Sequence, residues 1–328
     1  IGQRPVAIFA HILSAAGLIL LTILPDLLPD AYTGLLIAVI IYAFGGGLIE
    51  VLLSPILEAC PTDNKETAMS LLHSFYCWGH VGVVLLSTVF FSVFGIQRWR
   101  ILAIVWALVP LGNAILFAKA PLYSLQSSDT PGLTFRQLFS LRIFWLMMLM
   151  MLCAGAAEQA VSQWASAFAE QGLGVSKTVG DLAGPMAFAV LMGISRLIFS
   201  KYGEQLDLRR FIRFSCVLCL LAYLCIALVP SPVVGLIGCA VCGFSVGIFW
   251  PGTLSCASAA IRGGGTAMFA LLALAGDLGC SGGPTLAGLV SSASGNNLRA
   301  GILAAIIFPV LLLAGSLLLG RTAKKNAL

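Results

Sequence analysis

The sequence has 328 residues, of which 59% are hydrophobic and only 9% charged, with a formal net charge of +5. Its mean hydropathy is +1.02. A soluble domain carries about 25% charged residues, so this chain cannot cover itself in water, and its positive balance reports membrane orientation rather than nucleic-acid binding.

A helix that crosses a bilayer needs about 20 apolar residues. Ten such segments are predicted, at 5–24, 32–54, 67–94, 99–118, 142–169, 178–200, 211–229, 232–256, 266–291 and 299–320. Turn-forming stretches such as "PDLLPDAY", "PTDNKE", "VPSP", "IRGGG" and "SSASGNN" punctuate them. The longest break, 119–141, is polar and separates a four-helix segment, 1–118, from a six-helix segment, 142–328. With both termini in the cytoplasm, fourteen Lys and Arg residues fall on the cytoplasmic side, Arg196 among them. Only Arg98, Arg100, Lys177 and Arg299 fall outside, a bias that sets the orientation. No N-x-S/T acceptor occurs, which favours a bacterial inner membrane.

Ionised side chains inside a bilayer are costly, so they face a cavity or a partner. Glu50 follows Gly45–Gly47 and precedes Pro55, where small residues permit close approach or a local break. His73, Cys77 and His80 share one helix face. That spacing would suit zinc or copper, but no neighbouring Asp or His completes a set, so no metal is expected and His73 reads as a cavity-lining donor.

The span "AGAAEQAVSQWASAF" at 154–168 carries Glu158, Gln159, Gln163 and Trp164. Glu158, Ser162 and Ser166 recur at i, i+4, i+8, with Gln159 and Gln163 beside them. This face is expected to line an aqueous path. Carboxylate and amides would meet hydroxyls, and the indole would offer a flat surface to a sugar ring. Arg196 is expected to snorkel or to pair with Asp207. Trp250 stands next to Pro251, whose missing N–H frees a carbonyl; it is read as a gate or sugar platform, or as a packing residue. Asp277 sits among small residues and either pairs with an Arg, hydrogen-bonds backbone, or takes a proton in a coupling role. The pairs Cys216/Cys219 and Cys239/Cys242 lie in apolar helical runs and read as packing.

"ETAMSLL" at 66–72 recurs as "GTAMFALL" at 265–272, an offset of 199 (266 − 67). "FGGGLIE" at 44–50 faces "FSVGIFW" at 244–250, an offset of 200 (244 − 44). The register suggests a duplicated helical bundle. Two helices precede the loop 201–210 in the second half, whereas the first half opens on "IGQRPVAIF"; the expectation is that two helices are missing and that six plus six make the whole.

That arrangement, with the loop "YGEQLDLRR" at 202–210, resembles the major facilitator superfamily, whose cytoplasmic motif would place Asp207, Arg209 and Arg210 in conformational control. "GGGLIEVLLSPILEA" followed by "SLLHSFYCWG" is similar to the fourth and fifth helices of the fucose:proton symporter family. This likeness implies that Glu50 matches a carboxylate used in substrate binding and proton coupling. It also implies that His73 and Tyr76 stand where that family has sugar-contacting amides.

The expected fold is therefore an all-α membrane protein of two pseudo-repeated bundles. The expected function is alternating-access transport of a small polar solute, a sugar by class, driven by protons. Glu50, Glu158 and Asp277 are the coupling candidates. His73, Tyr76, Glu158, Gln159, Gln163, Trp164 and Trp250 are the substrate-contact candidates. The protein is expected to work as a monomer, without cofactor or nucleic acid. A proton-driven efflux carrier is the alternative; it would need a more aromatic cavity with fewer amides. An ATP-driven pump lacks its GxxxxGK[ST] stretch, and a third reading, an intramembrane enzyme or nontransporting receptor, lacks a metal dyad such as HExxH.

Overall fold

The computed structural model describes residues 2–123, 132–167, 170, 179–180 and 182–325, without the side chains of 183 and 320–325. Lys177, the loop 124–131, and the junction between the fifth and sixth predicted helices lie outside the described residues, as do the side chains of Arg321, Lys324 and Lys325.

Short polar signals start the helices. α1 runs over Gln3–Leu20, a single turn α2 over Leu24–Leu27, and α3 over Ala31–Ala59. Asp30 caps α3: its carboxylate accepts the Tyr32 and Thr33 N–H groups, satisfying donors that a helix start leaves open. α4 spans Lys65–Phe94 and α5 Trp99–Lys119. After 132 come α6 (Phe135–Ser140), α7 (Arg142–Ser162), α8 (Ala187–Tyr202), α9 (Leu208–Leu228), α10 (Pro232–Val246), α11 (Phe249–Ala260), α12 (Gly265–Ala293), α13 (Leu298–Ala305) and α14 (Ile307–Lys325). α6 begins with a reciprocal Thr134/Gln137 capping box, and the Asp207 carboxylate caps α9 by accepting the Arg210 N–H at 2.7 Å.

Among the described residues nine stretches are long and apolar enough to cross a membrane. They match nine of the ten predicted spans. The tenth, predicted at 178–200, is seen as a π-turn at Leu182–Met186 followed by α8. The predicted span 232–256 divides at Gly247–Ile248 into α10 and α11, and the last span divides at Ile306.

The repeat is visible in the element boundaries. Apolar spans starting at Ala31, Lys65 and Ile96 recur at Pro232, Gly265 and Leu298, offsets of 201, 200 and 202 (232 − 31, 265 − 65, 298 − 96). The turns repeat as well. Gly95 and Gly295, 200 residues apart, follow α4 and α12 with φ of 80° and 71°, the left-handed conformation that glycine adopts without a Cβ penalty.

The chain divides into two compact units, Ile1–Pro61 with Leu86–Pro131, and Thr62–Leu85 with Gly132–Leu328. The first two-thirds of α4 therefore pack within the larger unit, although sequence and repeat place α4 in the first half. In the smaller unit α1 packs on α3 and α5. Ala7, Leu52 and Ile56 form its core, with Val6, Phe117 and Leu122 around them. Arg4 donates to the carbonyls of Ala118 and Ala120 at 3.2 and 2.7 Å, closing the C-terminal end of α5.

In that unit Arg100 grips Asp26 through two bonds of 2.6 and 2.8 Å. These bonds hold the Asp26 carboxyl below its usual pKa. A lowered folded-state value stabilises above the unfolded pKa and is lost as pH falls through the folded one. The pair is exposed, so its contribution is small and screened by salt. Asp26→Asn is expected to lower the thermal midpoint slightly at neutral pH and low salt, and not at all in acid. A drop of equal size under both conditions would mean that charge plays no part.

In the larger unit α7 and α12 are in intimate contact. A Cβ on Gly155 would strike the Gly276 carbonyl, one on Gly279 the Leu152 carbonyl, and one on Gly283 the Ala156 carbonyl. Lipid tails are as apolar as leucine, so helices in a bilayer associate by this close backbone approach rather than by apolar burial. The Tyr223 hydroxyl crosses from α9 to the Ala157 carbonyl of α7 at 2.8 Å. The Cys216, Cys219, Cys239 and Cys242 thiols are free and buried in α9 and α10. Gly279–Gly283 also spells G-x-S-x-G, the letters of a hydrolase nucleophile elbow. Here the stretch lies in mid-helix, with none of the strand-to-helix turn that this chemistry requires.

Candidate functional site

Proline at 251 has no N–H, so the carbonyl four residues earlier, Gly247, loses its helical donor. Arg196 supplies one. Its Nε donates to the Gly247 oxygen at 2.8 Å. Its Nη1 donates to the His73 carbonyl at 2.6 Å, and its Nη2 lies 3.6 Å from Oε2 of Glu158. That last separation is an ion pair rather than a good hydrogen bond. The Tyr76 ring stands 5.8 Å from the guanidinium carbon, within cation–π range. One guanidinium thus joins α4, α7, α8 and the α10–α11 break.

Both charged side chains are out of water, at 2% and 8% exposure. The expected pairing of Arg196 with Asp207 does not occur, since Asp207 caps α9 instead. The Arg196 side chain is buried rather than turned out to the surface. Snorkelling fails because a nearer carboxylate, the open Gly247 carbonyl and the His73 carbonyl hold the guanidinium inside. Sequence reasoning missed Arg196 as a site residue although two signals pointed to it: a lone Glu in a span needs a cation, and Pro251 leaves a carbonyl open.

The other predicted residues are distributed as follows. Glu158 and Ser162 are buried, Gln159 is half-buried and Gln163 is exposed, so the polar stripe of α7 splits between packing and an open face. Trp164 is half-buried, its Nε1 3.3 Å from the Pro284 carbonyl and its ring beside Gly288. Trp250 is buried, with its ring laid on Gly276, where any Cβ would collide with it. His73 is half-buried and Tyr76 half-exposed. Glu50, on α3 of the smaller unit, is half-buried. Asp277 is exposed on α12, between the exposed Leu274 and Leu278. Arg209 and Arg210 start α9, where the Arg209 carbonyl accepts the Arg213 Nε.

The sequence model of the Major Facilitator Superfamily matches residues 1–284. The chain belongs to this superfamily. It is accordingly a multi-pass membrane transporter, not an enzyme. No curated protein sequence matches it. Solved structures of superfamily transporters share its fold. A variant of the E. coli fucose:proton symporter is 18% identical, with a TM-score of 0.78 over 97% of this chain and 84% of that one. A proton:xylose symporter bound to a halogenated glucose is 14% identical, with a TM-score of 0.76 over 95% and 79%. A bacterial homologue of the human lysosomal transporter Spinster, inward-facing, is 14% identical, with a TM-score of 0.68 over 99% and 84%. At these identities the likeness concerns the fold.

Proposed function

We propose that this transporter couples the movement of a small polar solute, a sugar by class, to protons. It would work as a monomer in a bacterial inner membrane with its C-terminus in the cytoplasm. The two repeat halves, 1–118 and 142–328, would rock around a central site. The observation that carries this reading is the buried Glu158–Arg196 pair beside Tyr76. A chain that needed only to pack would gain nothing from desolvating two charges, whereas a carrier that binds and releases protons needs a carboxylate whose surroundings change. Sugar–proton symporters among the similar folds support the solute class. In this reading Glu50 and Glu158 hold the proton. Gln159, Gln163, Trp164, Tyr76 and His73 contact the solute, and Asp207 with Arg209 and Arg210 steadies the cytoplasmic end. Each charge moved across the membrane gains about 2.3 kcal/mol per 100 mV.

The test is uptake by proteoliposomes under an imposed pH gradient, acid outside, across a panel of pentoses, hexoses and lipophilic cations. Accumulation of at least one sugar, collapsed by a protonophore, is expected. Proton-driven extrusion of the lipophilic cations with no sugar movement would replace this reading by an efflux carrier.

A further inference from the structure

We propose that Arg196 is a positioning residue that clasps α4, a helix of the first repeat, to the second repeat, and that protonation of Glu158 releases the clasp. This rests on the rocking mechanism but not on the identity of the solute.

The clasp is reciprocal. The Arg196 guanidinium donates to the His73 carbonyl of α4, and the Ser70 hydroxyl of α4 donates to the Arg196 carbonyl at 2.8 Å. Glycines let the two helices approach. A Cβ on Gly193 would press on Trp78 and Cys77, and one on Gly203 on Thr67. Two partners of the guanidinium are neutral carbonyls, so among the described residues Glu158 alone balances its charge. Removing one member of a buried pair leaves the other uncompensated, which is far more costly than never having buried the pair. Once Glu158 takes a proton, Arg196 gains by admitting water. The carbonyl it holds on α4 is the one that rocking can withdraw, because Gly247 and Glu158 belong to the same repeat as Arg196.

The other titratable groups around the pair are His73, Tyr76 and Cys77 of α4 and Cys280 of α12; α11 has no acidic or basic side chain. Tyr76 and Cys77 start neutral and can only lose protons, so of these only His73 competes with Glu158 as an acid-side switch.

Amide hydrogen exchange of the protein in proteoliposomes reads the clasp without a solute. After correction for intrinsic rates, segment 66–78 is expected to exchange about tenfold faster or more at acid than at alkaline pH, a factor equal to about 1.4 kcal/mol. Segment 212–226 of α9 should not change. Glu158→Gln should exchange fast at every pH. Glu158→Gln combined with Arg196→Gln removes both charges and the clasp itself, so segment 66–78 should exchange as fast as in Glu158→Gln, independently of pH. A residue that merely packs would instead make the double variant worse than the single. His73→Gln keeps the backbone carbonyl and should keep the pH response. The clasp is overturned by a wild-type segment indifferent to pH, by a double variant faster than Glu158→Gln, or by loss of the response in His73→Gln. Should Glu158→Gln not fold, the wild-type titration and the His73 variant still decide. Failure here with sugar uptake intact would remove the clasp and leave the transport reading standing.

Discussion

Gly279→Val is expected to leave no folded protein, or to lower stability by more than about 3 kcal/mol. Overpacking a core costs about 1–3 kcal/mol when neighbouring side chains can move aside. Here the obstacle is the Leu152 carbonyl, which belongs to the backbone of α7 and cannot rotate away. Separating α7 from α12 would also part Gly155 from Gly276 and Gly283 from Ala156, so the damage spreads along the whole contact. Gly282 is the control. It lies on the same helix, and a Cβ there meets nothing within 4 Å. Gly282→Ala should be neutral or stabilising by up to about 1 kcal/mol, the helix-propensity difference. Thermal unfolding followed by size exclusion compares the two. Equal midpoints would show that backbone contact does not hold α7 to α12.

Glu50→Gln is expected to abolish uphill accumulation while sparing solute exchange. The amide keeps the shape and most of the hydrogen-bonding capacity of the acid but cannot titrate. Accumulation requires a proton bound on one side and released on the other. Exchange requires only that the loaded carrier reorient, which a permanently neutral side chain permits. Asp277→Asn is the comparison, because Asp277 is exposed between two leucines and is part of no ion pair among the described residues. Counterflow and pH-driven uptake would be measured on both variants in matched proteoliposomes. Full accumulation by Glu50→Gln would remove Glu50 from coupling and leave Glu158 as the carboxylate to test.

Much of the architecture was legible in the chain. Twenty-residue apolar runs admit one structure in a bilayer, a helix, because every backbone polar group must be satisfied internally. Nine of the predicted spans follow from that constraint alone. The duplication was legible for the same reason: an offset near 200 in two short matches reappears in helix starts and in the paired turns at Gly95 and Gly295. Glu158 stood out as a charge where lipid penalises charge. Its partner did not. Arg196 is 38 residues away in sequence, and a long flexible side chain near a helix end can snorkel, cap or turn inward. Only the packing of α4 against α8, through Gly193 and Gly203, and the open carbonyl left by Pro251 decided which. Trp250 shows the same limit. An indole beside a kink suits a gate or a packing surface equally well, and the close passage of Gly276 beneath its ring placed it in the packing. Local sequence determines that a segment crosses the membrane and which residues cannot face lipid. The tertiary structure determines what they face instead, because that depends on contacts between helices far apart in the chain.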